Sequence, residues 1–279
     1  NVQAKLILGN SYFFRQNFTQ AQKAYESAIE IAPDQPVGYF RLGYLQRNRG
    51  QYDSALKNFE KALSINPNLM EVFAQVLMIH VARGEFDMAL RKCDQKLEQS
   101  DGQPALSSAV YHLKGNVYLA SQKQTLAEES FKKAIAQYPG NLKAYYALAK
   151  LYLSENEQDQ AIAQYKQVLD VNPDQASAHM LLATIFDLQE RFDLSEKHYR
   201  AALEINPDFV PAANNLAYIL ADQEKDLDDA LNLARLAKER RPDNPNVMDT
   251  LGWVYYKKGF YANAIAEFTD CLKQMPDNA

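Results

Sequence analysis

Imidazole, thiol and carboxylate side chains are the ones that ordinarily ligate metals, attack electrophiles or exchange protons. Their spacing in this chain supports none of those roles. The four histidines, His80, His112, His179 and His198, include no i, i+4 pair with a third ligand, the arrangement a helix needs to hold zinc. They read as packing or surface residues of helices. Cys93 and Cys271 are too few for a disulfide framework or a zinc site, and they do not identify a redox compartment. No C-x-x-C, no G-x-S-x-G and no phosphate-cradling glycine loop occurs. The adjacent carboxylates Glu128-Glu129 and Asp228-Asp229 fall at predicted helix starts, where negative charge favours the helix dipole rather than acid/base work. The expectation is a chain with no catalytic residue, no cofactor and no metal site, and so not an enzyme.

Composition narrows the alternatives. Of 279 residues 47% are hydrophobic, enough to build a core and to exclude intrinsic disorder. No run approaches the roughly 18 apolar residues of a membrane span, and the opening NVQAKLILGN lacks the features of a signal peptide, so direct membrane insertion is not expected. Lys+Arg 30 against Asp+Glu 35 gives net charge −5 without a basic block, which disfavours nucleic acid as a partner. Only 10 glycines and no sustained period-two alternation argue against β architecture.

An internal period sets the secondary structure on which any binding residues would sit. Proline followed by Asp, Asn or Gly occurs at Pro33, Pro67, Pro139, Pro173, Pro207, Pro242 and Pro276, at spacings of 34, 72, 34, 34, 35 and 34. The 72 hides one unit carrying four extra residues. Eight units follow, at residues 2–35, 36–69, 70–107, 108–141, 142–175, 176–209, 210–244 and 245–278, in a single array over 2–279. The eighth position is small in seven units: Gly9, Gly43, Gly115, Ala149, Ala183, Ala217 and Gly252. The twenty-fourth is aromatic in six, as in Tyr25, Phe59, Phe131 and Tyr199, which predicts small-against-large packing of two helices. Gly50, Gly84, Asn156 and Gly259 suit left-handed helix ends, Asp53, Asp87, Asp159, Asp193 and Asp228 stand where an N-cap is expected, and the proline stops the second helix. The segment EQSDGQPALS at 98–107 reads as a longer loop, a hinge being the alternative, and one extra residue near Gln223 to Asp226 lengthens a turn.

Tyr39, Leu42, Gly43, Ala55, Phe59, Ala62 and Pro67 in the second unit, and Leu251, Gly252, Tyr255, Ala264, Phe268 and Pro276 in the eighth, resemble the W-x2-L-G-x2-Y, A-x3-F, A, P pattern of the tetratricopeptide repeat family. The third unit departs from it, with Leu77, Cys93 and Lys96 at pattern positions and no terminal proline. The resemblance implies an all-α, right-handed superhelical α-solenoid of about eight helical hairpins. It also implies that first helices line a concave groove, which places Asn10, Arg41, Tyr44, Asn116, Tyr146, Lys150, Asn215, Tyr218, Trp253 and Tyr256 there as partner-binding residues. Phe13, Phe14, Phe40, Met78, His112 and Lys143 occupy groove positions too, with packing inside the array as the competing role for Phe13, Phe40 and Tyr218. Such a lining suits an extended peptide or an amphipathic helix. Leu6 stands where the family's carboxylate-clamping members carry lysine, which disfavours chaperone-tail binding. Asn215 is the only asparagine at its position, so the asparagine ladder of O-linked sugar transferases is missing.

The functional expectation is a non-catalytic protein–protein interaction scaffold. The alternative is a regulatory or substrate-presenting region of a larger enzyme or of an envelope or polysaccharide-export assembly. Repeats that start at residue 2, without an initiator methionine, and end at 278 without a polar capping helix suggest a fragment whose exposed ends could self-associate. NNLAYILAD and PDNPNVMDTLGWVYYKKG resemble segments of multi-repeat bacterial proteins of the cell envelope, leaving the compartment open between cytoplasm and bacterial periplasm or envelope.

Overall fold

A computed structural model describes residues 1–274. Among these residues there are sixteen helices, paired as hairpins. The pairs are α1 (Val2–Phe14) with α2 (Phe18–Ile31), α3 (Pro36–Asn48) with α4 (Tyr52–Ile65), α5 (Met70–Ala82) with α6 (Phe86–Gln99), and α7 (Pro104–Ala120) with α8 (Gln124–Gln137). They continue as α9 (Leu142–Ser154) with α10 (Gln158–Val171), α11 (Ala176–Leu188) with α12 (Phe192–Ile205), α13 (Val210–Asp222) with α14 (Leu227–Arg240), and α15 (Pro245–Lys257) with α16 (Tyr261–Gln274). The chain divides into two compact units, Asn1–Leu148 and Ala149–Ala279. Pro276, the terminal proline of the eighth repeat, lies outside the described residues.

Each hairpin has a left-handed residue closing its first helix: Gln16, Gly50, Gly84, Gln122, Asn156, Glu190, Glu224 and Gly259, with φ between 52° and 77°. The bonds are those of a Schellman end. In the first hairpin the Gln16 N–H donates to the Phe13 carbonyl and the Asn17 N–H to the Tyr12 carbonyl, both at 2.9 Å. The expected N-caps are placed differently. Asp53, Asp87, Asp159, Asp193 and Asp228 sit inside the first turn, because the helices start one residue before each of them. There they face the positive helix end, and several reach the next hairpin: Asp53 pairs with Arg83 at 2.7 Å and Asp193 with Lys225 at 3.5 Å.

The small-against-large pairing is direct. A Cβ added to Gly43 would stand 2.7 Å from the Phe59 ring, and one added to Gly252 would stand 2.8 Å from the Phe268 ring; Gly9 and Gly115 meet Tyr25 and Phe131 in the same way. Helix approach at these points requires glycine's missing side chain. Each core cluster joins neighbouring hairpins. In the first unit Phe59, Ala55 and Ala62 pack with Val72, Val76 and Ile79, and in the second Tyr199, Leu216, Leu220 and Leu251 share one cluster.

The segment 98–107 does not form a longer loop. Only Ser100 to Gln103 separate α6 from α7, as many residues as separate α2 from α3, and the extra residues become a further turn at the start of α7, which spans 17 residues. Pro104 at N1 pre-sets that turn, and the Ser100 and Ser107 hydroxyls meet at 2.9 Å beneath it. The extra residue of the seventh repeat does lengthen its turn, through left-handed Glu224 and Asp226, and the Asp226 carboxylate accepts from the Asp229 N–H at 3.1 Å.

Candidate functional site

Three of the residues assigned from sequence converge in the first unit. Asn10 from α1 and Arg41 and Tyr44 from α3 line a pocket of about 310 Å³ with Phe13, Phe40 and Glu71. The aromatic rings hold one another: Tyr44 lies 5.8 Å from Phe13 and 6.3 Å from Phe40 between centroids. The Arg41 guanidinium stands 5.6 Å over the Phe40 ring, and Arg47 stands 5.0 Å over Tyr44. Asn10 also serves the core, its side-chain oxygen accepting from the Tyr25 hydroxyl at 2.9 Å.

A second pocket of about 810 Å³ adjoins it through Glu71, between α5, α7 and the turn before α9, and is lined by Gln75, His112, Leu113 and Lys143. Burial first, then Lys143, lowers the His112 pKa to about 4, which keeps the ring neutral at physiological pH. Asn116 is exposed and stands 3.4 Å from this ring. Tyr146 on α9 is half-buried with its phenol pKa raised by that burial, and Lys150 is exposed. Glu71 and Gln75 line this second pocket without being marked by the sequence. Their positions, second and sixth of the third repeat, were the available signal, obscured because that repeat breaks the pattern at Leu77, Cys93 and Lys96.

In the second unit α13 and α15 carry the remaining assigned residues. Asn215 donates to the Tyr199 hydroxyl at 3.1 Å, so part of its amide is used inside the array. Tyr218 is 44% exposed and Tyr256 50%. The Tyr218 pKa is raised by burial and by Asp222, Asp249 and Asp187, while Lys257 works the other way. Trp253 is half-buried, with its indole N–H enclosed and no acceptor among the described residues. The Tyr256 ring stacks 5.6 Å from it and the Lys257 ammonium lies 5.1 Å from its ring centre.

Four family models, each a tetratricopeptide repeat, match residues 2–35, 36–69, 118–185 and 189–245. The chain is a tetratricopeptide repeat protein. Over 65 residues this repeat protein is 34% identical to a TPR repeat-containing protein of Pseudomonas aeruginosa, a match that spans 23% of the chain and 11% of that relative's length. Among solved structures, the C-terminal part of a TPR repeat-containing protein from Cytophaga hutchinsonii superposes with a TM-score of 0.56 at 17% identity, covering 87% of this chain and 98% of that one. Yeast Tom70 superposes with a TM-score of 0.51 at 14% identity, covering 98% of this chain and 76% of that one. These likenesses concern the fold. Tetratricopeptide arrays are typically protein-interaction modules and are generally non-catalytic.

Both cysteines of this repeat protein are buried, while His112, His179 and His198 are half-buried. Cys93 is buried and its thiol is pushed up to about 12 by that burial, with the Lys114 charge opposing and Asp94 adding to it. Cys271 donates to the Pro245 carbonyl at 3.3 Å. The Nδ1 atoms of His179 and His198 lie 2.9 Å apart, so at least one ring is the donor, and His198 is lowered to about 4 by burial, then by His179, Lys197 and Lys166. Among the described residues no group of three His, Cys, Asp or Glu side chains is placed to hold a metal ion, and no helix is long and apolar enough to cross a membrane.

Proposed function

We propose that this chain is a non-catalytic scaffold that captures a protein segment, an extended peptide or a helix, on the surfaces that first helices form within its units. The pocket at Asn10, Phe13, Phe40, Arg41 and Tyr44 carries this reading. It presents aromatic surface beside a guanidinium, the residue types that dominate binding hot spots. Tyr218, Trp253 and Tyr256 offer aromatic surface on first helices of the second unit. In this reading Asn116 and Lys150 supply exposed polar contacts, while the inward bonds of Asn10 and Asn215 hold neighbouring tyrosines in place.

The test is capture of partners from a cell extract by the unmodified chain and by the variant carrying Arg41→Ala, Tyr44→Ala and Trp253→Ala. Loss of the captured protein with helicity unchanged supports the reading. Equal capture by both chains overturns it.

A further inference from the structure

Lys96 breaks the packing rule of the second helices. Its place, the twenty-seventh of the repeat, is held elsewhere by Ala28, Ala62, Ala134, Val168, Ala202, Ala237 and Cys271, the seventh repeat being counted past its one-residue insertion. The lysine is nevertheless only 6% exposed. Its ammonium donates one hydrogen bond, at 2.7 Å, to the Pro67 carbonyl, and among the described residues no carboxylate stands within ion-pair distance of it. An ammonium has three N–H donors, and the Pro67 carbonyl takes one of them, leaving the positive charge to face the adjoining pocket. The surrounding burial lowers the Lys96 pKa, as expected for a cation without a counter-charge.

The side chain lines a pocket of about 340 Å³ formed by α4, α5 and α6, which shares no residue with the pocket at Asn10, Arg41 and Tyr44. Leu63, Phe73 and Val76 supply an apolar wall, and Lys92, one turn before Lys96 on the same helix, supplies a second amine, 3.5 Å from the Glu60 carboxylate. The volume is at the small end of the range of ligand sites, and the pairing of apolar wall with amines selects for an anion that carries hydrocarbon. Inorganic phosphate would satisfy the amines and leave the wall empty.

We propose that this pocket binds a small organic carboxylate, its oxygens accepting from the ammonium groups of Lys96 and Lys92, its short hydrocarbon part lying on Leu63, Phe73 and Val76.

The test uses hexanoate, inorganic phosphate and a short acetylated and amidated peptide containing one glutamate, each titrated against the unsubstituted chain and against Lys96→Met. Hexanoate should raise the melting temperature of the unsubstituted chain saturably, with binding at least tenfold weaker in Lys96→Met. Lys96→Ala, the residue of most other repeats, serves as a second variant whose fold the repeat pattern supports. On the unsubstituted chain, displacement of the Lys96 side-chain NMR resonance by hexanoate gives the same answer without a substitution. No hexanoate binding, equal binding by the variants, or binding of the phosphate or the peptide alone overturns the proposal. Hexanoate binding should be untouched by Arg41→Ala with Tyr44→Ala, so this proposal and the first-helix reading fail separately.

Discussion

Gln122 adopts φ 60° at a helix end where Gly50 and Gly259 adopt 72° and 77°. An L residue in the left-handed region costs about 1 kcal/mol relative to glycine, so Gln122→Gly should stabilise the first unit by roughly that amount and Gly50→Ala should destabilise it similarly. Urea unfolding midpoints check both, and a midpoint that does not rise for Gln122→Gly contradicts the assignment. The sequence showed these ends only where glycine or asparagine stood. Gln16, Gln122, Glu190 and Glu224 carry no such mark, because the Schellman bonds of the turn impose the conformation on whatever residue stands there. His112 and His198 have folded values of about 4, below the ordinary 6.5, and His179 is shifted the same way. The unfolded chain therefore binds more protons: the stability tied to the neutral rings is complete above pH 6.5 and is lost as pH falls toward 4. The melting temperature should decline across that window, and His112→Gln with His198→Gln should flatten the decline. An unchanged pH profile in the double variant would contradict the buried, neutral state of the rings.

At the scale of elements, the hairpin depends on close helix approach. Ala55 is fully buried among Phe59, Ala62 and Val76, and its carbonyl lies 3.2 Å from where a Gly43 Cβ would stand. Ala55→Leu should overpack this contact and cost about 1–3 kcal/mol. Thermal unfolding measures it, and an unchanged melting temperature would mean that the repeat register is wrong. Periodicity made these contacts legible, since small and aromatic residues at fixed positions have one arrangement that fills space. The boundaries were harder to read. Polar residues with Gly102 and Pro104 resemble a loop in isolation, but proline is also a good first residue of a helix, and packing on the preceding hairpin extends α7 by one turn. The aspartates near second-helix starts lie two residues past the N-cap, since an N-cap and a first-turn acid satisfy the same positive helix end.

For the whole molecule, the repeat architecture was readable because the same hairpin recurs. The pockets on the first helices were readable only in part. Arg41 and Tyr44 share a pocket with Asn10 as the first-helix positions imply, whereas Glu71 and Gln75 sit in a repeat that departs from the pattern. Asn10 and Asn215 show why an inner-face asparagine is ambiguous in sequence: each bonds a tyrosine of the second helix, a contact that spacing alone does not reveal. If partners meet the first helices, photo-crosslinking will show it, with a benzophenone amino acid placed at Tyr44 or Tyr218 on first helices and at Lys57 or Lys166 on second helices. One partner should crosslink from positions 44 or 218 and not from 57 or 166; crosslinking confined to the second-helix positions would place the partner elsewhere and refute the proposed function.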